Sequence, residues 1–215
     1  MDLTDSYKKT LPAKVLTRYE VREVRDAAAV ISSTNPQEWE DIVSVLSAFK
    51  LRKTDIVTPG GGKSQVAVRL DTAFREFGWR EGRYDRKIKS SLRLMPYSAA
   101  GEKVATVTET DVDSEGYKVD NVKGKIALDV EWNAKDGNLD RDLAAYRALY
   151  EVGIIAAGVI VTRSYQEIYN LSQRLGRDAF GTTTTTTIEK LEPRLTRGDS
   201  GGCPVLALAI TSRTM

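Results

Sequence analysis

The chain contains no histidine. That absence excludes a Ser-His-Asp triad, a Cys-His pair, an HExxH zinc helix and a His-Asn-His nuclease. Cys203 stands alone, so there is neither an internal disulfide nor a cysteine-based zinc site. No apolar run approaches the roughly 18–20 residues a membrane helix needs. Residues 1–14 carry no apolar stretch after their charges, so no signal or transit peptide is expected. A cytoplasmic protein without a membrane partner is the natural expectation. Charge of one sign is also scarce: 32 Lys and Arg against 30 Asp and Glu leave a formal +2. A field that weak means any nucleic-acid surface needs local basic clustering. Hydrolytic chemistry would rest on carboxylates, lysines and a hard cation.

What is present reads as a single domain over residues 1–215, with a polar hairpin insertion at 98–117. A strand is expected from Val15 to Val24. Asn35-Pro36 opens a helix carrying Trp39, Ile42, Val43, Leu46 and Phe49 at helical spacing. A second amphipathic helix runs from Ser64 to Phe77. Arg80 to Arg93 is basic and exposed in this reading. The chain turns through Lys123-Gly124 into a strand beginning at Lys125. A helix from Leu139 to Tyr150, a buried strand from Ile154 to Val161 and a last apolar strand from Val205 to Ile210 follow. Strand, helix and strand in succession argue an α/β fold with a right-handed crossover.

Two motifs mislead. Gly198-Asp199-Ser200-Gly201-Gly202 spells the nucleophile pentapeptide of trypsin-like proteases, but no histidine can activate the serine. It reads instead as a turn before a core strand. Gly60-Gly61-Gly62-Lys63-Ser64 resembles the end of a phosphate loop, yet Val57 stands where the pattern needs glycine. A turn with a helix cap at Ser64 is the expectation there.

The chemistry-bearing segment is Asp120 followed by Leu128-Asp129-Val130-Glu131-Trp132. In a strand alternate side chains share a face, so Leu128, Val130 and Trp132 point one way while Asp129, Glu131 and Asn133 point the other. Two acids on one face repel each other, and a divalent cation would resolve the conflict. Asp120, nine residues before Asp129 across a Lys-Gly turn, can sit beside them. Three carboxylates around a hard cation suit metal-assisted phosphodiester hydrolysis. The competing reading is an alternating strand with one solvated face.

Asp120 with Asp129-Val130-Glu131 resembles the PD-(D/E)xK nuclease core. More narrowly it resembles the BglII-like restriction endonucleases, in which the terminal lysine is replaced by glutamine or glutamate. Asn35 to Trp39, Phe77-Gly78-Trp79-Arg80-Glu81 and Gly153 to Arg163 resemble further blocks of that family in order. The likeness runs from Ile31 to Ile210 and is poor between Tyr97 and Val119. It implies a central mixed β-sheet flanked by helices and a Mg²⁺-dependent (Mn²⁺ substituting) type II endonuclease. The substrate would be double-stranded DNA, cut at a short palindrome, GATC-containing in several relatives. A homodimer and a cognate DNA methyltransferase are implied with it. By the resemblance Asp120 and Asp129 hold the metal, Asp129 standing where the family usually has glutamate. The Val130 carbonyl is a further ligand, and Glu131 orients or deprotonates the attacking water. Glu81 matches an acid or amide on an upstream helix that completes the site.

For DNA contact the candidates are Arg83 and Lys87 in the basic run, and Asn133 and Lys135 past the catalytic strand. Ser172, Arg174, Arg177, Thr183 and Thr184 form a second polar and cationic patch. Arg reads guanine, Asn reads adenine, and threonine serves either. The rival functions are a structure-specific repair or resolving nuclease, and a DNA-binding module with no catalysis.

Overall fold

Pro12 starts a one-turn helix rather than a strand. α1 (Tyr7–Thr10) and α2 (Ala13–Leu16) therefore precede β1 (Tyr19–Val24), and the strand expected from Val15 begins four residues later. The computed structural model describes residues 1–58, 64–178, 180–181 and 184–215. It divides them into one unit of residues 1–82 and 119–215 and a second of residues 83–118.

In the first unit α3 (Ala27–Thr34) leads into α4 (Pro36–Ala48), where Pro36 occupies the first turn and needs no amide partner. Asn35 stands at the cap but gives its side-chain amide to Thr34 at 2.8 Å. After α5 (Lys53–Val57), α6 (Gln65–Glu76) is capped by Ser64, whose hydroxyl accepts from the Ala67 amide at 3.1 Å. The cap reading of Ser64 holds, while residues 60–63 of the phosphate-loop motif lie outside the described residues. β2 (Arg80–Leu94) and β3 (Thr106–Lys123) run from the first unit into the second. β4 (Ile126–Val130), α7 (Gly137–Glu151) and β5 (Ala157–Arg163) form the parallel crossover. α8 (Tyr165–Arg174), α9 (Ile188–Arg197) and β6 (Val205–Ile210) complete the chain.

The strand order is β1-β6-β5-β4-β3-β2, with β4, β5 and β6 parallel and β1 and β3 antiparallel to their neighbours. This is the mixed sheet flanked by helices that the sequence implied. Every residue of β4, β5 and β6 is buried, as expected where helices cover both faces. One core joins Ile126, Leu128, Val130 and Trp132 to Ile42 and Leu46 of α4 and Leu70 and Phe74 of α6. The Gly198–Gly202 pentapeptide is a turn before β6; Ser200 is buried and donates to the Cys203 carbonyl at 3.1 Å.

Asp41, only 1% exposed on α4, ties distant segments together. Its Oδ2 accepts from the Trp79 indole at 3.0 Å and from Lys123 at 2.6 Å, and its Oδ1 from Gln37 at 3.3 Å. The α4 block, the Trp79 block and the β3–β4 turn thus meet at one carboxylate.

The second unit is built from the outer parts of β2 and β3, with Ser98–Ala100 forming a 3-10 turn between them. The hairpin therefore takes in the basic run and starts well before the 98–117 insertion expected. Arg83 pairs with Glu115 at 2.8 Å, Lys87 with Asp113 at 3.7 Å and Lys89 with Asp111 at 3.6 Å. The basic strand meets a strand with acids at alternate positions, a pattern that fixes register without needing a core.

Truncating Asp41 leaves the Trp79 and Lys123 donors without their acceptor. Asp41→Ala should lower the unfolding free energy by about 2–4 kcal/mol in urea titrations. An unchanged midpoint would refute its tying role.

Candidate active site

β4 delivers Asp129 to the face turned towards α7, and Glu131 follows just beyond the strand end. Both carboxylates are only 4% exposed, so the solvated-face reading of this strand is wrong. The β3–β4 ladder ends at Asn121 opposite Leu128. One step on, the Asp120 amide donates not to a carbonyl but to Asp129 Oδ1, at 2.8 Å. Asp120 is thereby brought beside Asp129, as the spacing across the Gly124 turn suggested.

Three further residues come from α7. Asn138, Asp142 and Tyr146 lie four apart in the sequence, which puts them on one stripe of the helix. The Tyr146 hydroxyl is 2.8 Å from Asp129 Oδ2 and 2.7 Å from the Val159 carbonyl. A phenol has one proton to give. When Tyr146 donates to Val159, the bond to Asp129 must come from a protonated carboxyl; when Asp129 is ionised, the phenol turns to it. Gly158 makes this placement possible, since a Cβ there would lie 2.1 Å from the Tyr146 ring. Asn138 Nδ2 is 3.4 Å from both Glu131 oxygens. Arg141 reaches Asp142 at 3.4 Å and Glu131 at 4.0 Å.

The electrostatics follow from burial. Burial pushes the Asp129 carboxyl well above its ordinary range, and Asp142 and Asp120 add to the effect. Glu131 is raised to about 7, first by burial, then by Asp129 and Asp120 against the lowering bonds of Asp142 and Asn138. Asp142 is raised to about 8 by burial and by Glu131. Glu131 and Asp142 are within hydrogen-bonding reach of each other, so the two carboxyls titrate as a pair.

The donors are all oxygens, which suits a hard divalent cation rather than zinc or copper. Arg141 binds Asp142 through Oδ1, and Oδ2 is buried on the side of Glu131, a further place where positive charge would be favourable. Among the described residues no three acids close around one point, so the expected three-carboxylate cage is not preformed. A hard cation held by one or two carboxylates, with water and phosphate completing its shell, fits this arrangement.

Glu81 is not on a helix. It is exposed on β2, because α6 stops at Glu76. The buried acid of α6 is Asp71, 1% exposed, accepting from Asn121 Nδ2 at 2.9 Å beside Asp120. Sequence reasoning missed Asp71, Asp142 and Tyr146. The signal available was an acid at a buried-face position of each amphipathic helix, and in α7 the four-residue spacing.

Of the DNA candidates, Asn133 and Lys135 adjoin the threonine segment. Lys135 bridges Thr185, Asp136 N–H donates to the Thr184 carbonyl at 2.8 Å, and Thr186 N–H to that of Ala134 at 2.9 Å. Thr183 lies outside the described residues. Arg174 is exposed at the end of α8. Ser172 is buried with its hydroxyl on the Tyr169 carbonyl, and Arg177 binds the Ile56 and Thr58 carbonyls beneath the Phe180 ring. Those two side chains serve internal packing. Arg83 and Lys87 are exposed but paired with acids in the second unit.

The family model described as restriction endonuclease BglII/BglIII matches residues 19–210, from the first residue of β1 to the last of β6. No curated protein matches the chain.

Carboxyls raised in the folded state stabilise the fold fully below their unfolded values near 4, and that contribution is lost as pH rises through the folded values. In EDTA the melting temperature should therefore fall between pH 5 and pH 8, as Glu131 and Asp142 pass about 7 and about 8. A divalent cation should restore at least about 3 °C at pH 8 and little at pH 5. A melting temperature rising with pH in EDTA would contradict the buried-acid assignment.

Proposed function

The chain belongs to the BglII/BglIII restriction endonuclease family, and on that premise we propose that Asp120, Asp129 and Glu131 hydrolyse DNA with Mg²⁺ at a short palindrome. Members of the family are type II enzymes, site-specific deoxyribonucleases on double-stranded DNA, and generally use divalent metal ions. The observation that carries the residue assignment is the burial of Asp129 and Glu131 side by side, with the half-exposed Arg141 no nearer to Glu131 than 4.0 Å. A solvated strand face or a plain binding module has no reason to bury them.

Asp120 and Asp129 would hold Mg²⁺, with the Val130 carbonyl as a further ligand and Mn²⁺ as a substitute. Bound there, the ion supplies acidity to a coordinated water and charge to offset that of the phosphate. The oxygens of Asp129 keep lone pairs for it beyond the Asp120 and Tyr146 bonds. Glu131, poised at about 7, takes the proton of the attacking water near neutral pH. Asp142, raised to about 8 and so protonated near neutral pH, would donate to the Glu131 carboxylate, Asn138 would keep that carboxylate oriented, and the leaving oxygen would take its proton from solvent. Asp71 takes the upstream-helix role, in place of Glu81.

A palindrome read by identical active sites calls for a two-fold homodimer, one site per strand. A GATC-containing target is the starting expectation. Asn133, Lys135, Arg174 and Thr184 are the contacts on the first unit. A cognate DNA methyltransferase would protect the host genome in the same cytoplasm.

Unmethylated phage DNA incubated with the protein should give discrete bands with Mg²⁺ and none with EDTA, and sequencing the ends gives the site. Failure of folded protein to cut several DNAs would overturn the assignment. Asp120→Asn should abolish cleavage, by more than about 10²-fold, while leaving specific binding in Ca²⁺ within severalfold. Loss of folding instead would make Asp120 a structural acid.

A further inference from the structure

Glu131 is the first residue beyond the β4 ladder, yet its backbone is fully engaged. Its N–H donates to the Val161 carbonyl at 2.8 Å. Its carbonyl accepts from two hydroxyls, Thr162 at 2.9 Å and Thr186 at 2.9 Å. A carbonyl has two lone pairs, so both are filled. Two of these bonds come from β5, which the sheet fixes. The third comes from a segment outside the sheet.

That segment is held by contacts of its own. Thr184, Thr185 and Thr186 are bonded to residues 134–136. Arg163, at the end of β5, donates Nη2 to Thr185 Oγ1 at 2.9 Å and lies 5.5 Å from the Phe180 ring centroid. Phe180 in turn packs edge-on against Trp132, the residue after Glu131, at 5.9 Å. Gly181, in the left-handed region, lets the backbone pass over the guanidinium; a Cβ there would meet Nη2 at 2.5 Å and Asn133 Oδ1 at 3.1 Å. Arg163 is 0% exposed, yet among the described residues its Nε and Nη1 have no hydrogen-bond partner, and neither does Asn133 Oδ1. A buried guanidinium with unused donors is costly. The segment is thus seated by Arg163 but not fully satisfied in the DNA-free chain.

We propose that Thr186 is a positioning residue for Glu131, and that Arg163, by seating the threonine segment, couples duplex contact at Thr184 and Lys135 to that bond. This rests on the endonuclease assignment above. Thr184 and Lys135 are exposed neighbours of the same bridge, so duplex pressed on them bears on the strand pair that carries Thr186. The Thr186 bond to the Glu131 carbonyl, already made in the chain itself, is then held more firmly when a matched site presses on the bridge.

The test is a double-mutant cycle on the cognate duplex mapped with the wild-type enzyme. Binding is measured in Ca²⁺ and single-turnover cleavage in Mg²⁺. Thr186→Val, which keeps shape and removes the hydroxyl, should slow cleavage about tenfold with affinity within about twofold. Thr186→Ser should recover most of the rate, which a purely steric role would not predict. Arg163→Lys should also slow cleavage, and the Arg163→Lys/Thr186→Val double variant should be little slower than the worse single one. Melting curves establish that each variant is folded. If Thr186→Val does not fold, Arg163→Lys with Thr186→Ser decides: a full cleavage rate in Arg163→Lys overturns the proposal. Multiplicative losses, or parallel losses of affinity and rate, overturn it too. Wild-type protein that cuts no DNA removes the endonuclease assignment itself; discrete cutting at equal rates by wild type and variants removes only the coupling.

Discussion

Carboxyl groups that repel one another are buried at the carboxyl end of β4, and the surrounding structure answers that cost. Asp129 and Glu131 are held with Asp142 out of water, where isolated charges of one sign are unstable. Each neighbour relieves part of the penalty. The Asp120 amide and the Tyr146 phenol bind Asp129, Asn138 binds Glu131, and Arg141 lies against Asp142. The crossover helix α7 is therefore more than a connection between parallel strands. One stripe of it carries Asn138, Asp142 and Tyr146 to the acids, and the open face of Gly158 lets the phenol come close enough. What these bonds leave unbalanced is negative charge, which a divalent cation and a phosphate-bound water can use.

The opposite face of the sheet does the complementary work of fixing the strand that carries the acids. Leu128 and Val130 sit in the core with α4 and α6, so β4 cannot slip by one residue without placing acids in that core. Asp41 adds a polar fastening, drawing Trp79 and Lys123 onto α4. Lys123 precedes the Gly124 turn that returns the chain from Asp120 to Asp129. Its anchoring sets the register of the hairpin from its closed end. Positional accuracy at the site is thus inherited from an apolar ladder and one partly buried ion pair on the far side.

The sequence made the strand–helix–strand core legible because β4, β5, α7 and β6 each have an unmistakable period or apolar run, and the acids were visible as interruptions of it. Asp120, Asp129 and Glu131 could be found because a β-hairpin turns sequence spacing into proximity. Asp71, Asp142 and Tyr146 were not found: their spacing shows that they share a buried helix face, but which part of the sheet that face meets is set by tertiary packing. Glu81 was misplaced by the same gap: the helix ends at Glu76 and the next acid falls on a strand. Ser172 and Arg177 looked like DNA contacts because polar residues in a polar stretch read as exposed. Packing turned both inward, onto the carbonyls of Tyr169, Ile56 and Thr58. Thr183 and Thr184 were read as base contacts, and the bond from nearby Thr186 to the Glu131 carbonyl had no signature in the sequence.

A net charge of +2 and the pairing of cations with acids bear on how a duplex is held. Arg83, Lys87 and Lys89 are matched with acids in the second unit, and Lys190 and Arg194 with Asp136 and Asp140 in the first. A phosphate approaching such a cation replaces an existing partner, so the gain is smaller than for an unpaired one, and the released acid must be hydrated. Long-range attraction then contributes little to selecting the molecule. On the proposed reading discrimination would fall to short-range contacts near the strand ends, where Asn133 and Lys135 follow Glu131 and the Thr184 carbonyl is bonded to the Asp136 amide. In that arrangement the groups that would recognise the site and the group that would activate water share one stretch of backbone. On that reading a poorly matched duplex would bind weakly and also leave the Glu131 carboxylate less firmly held.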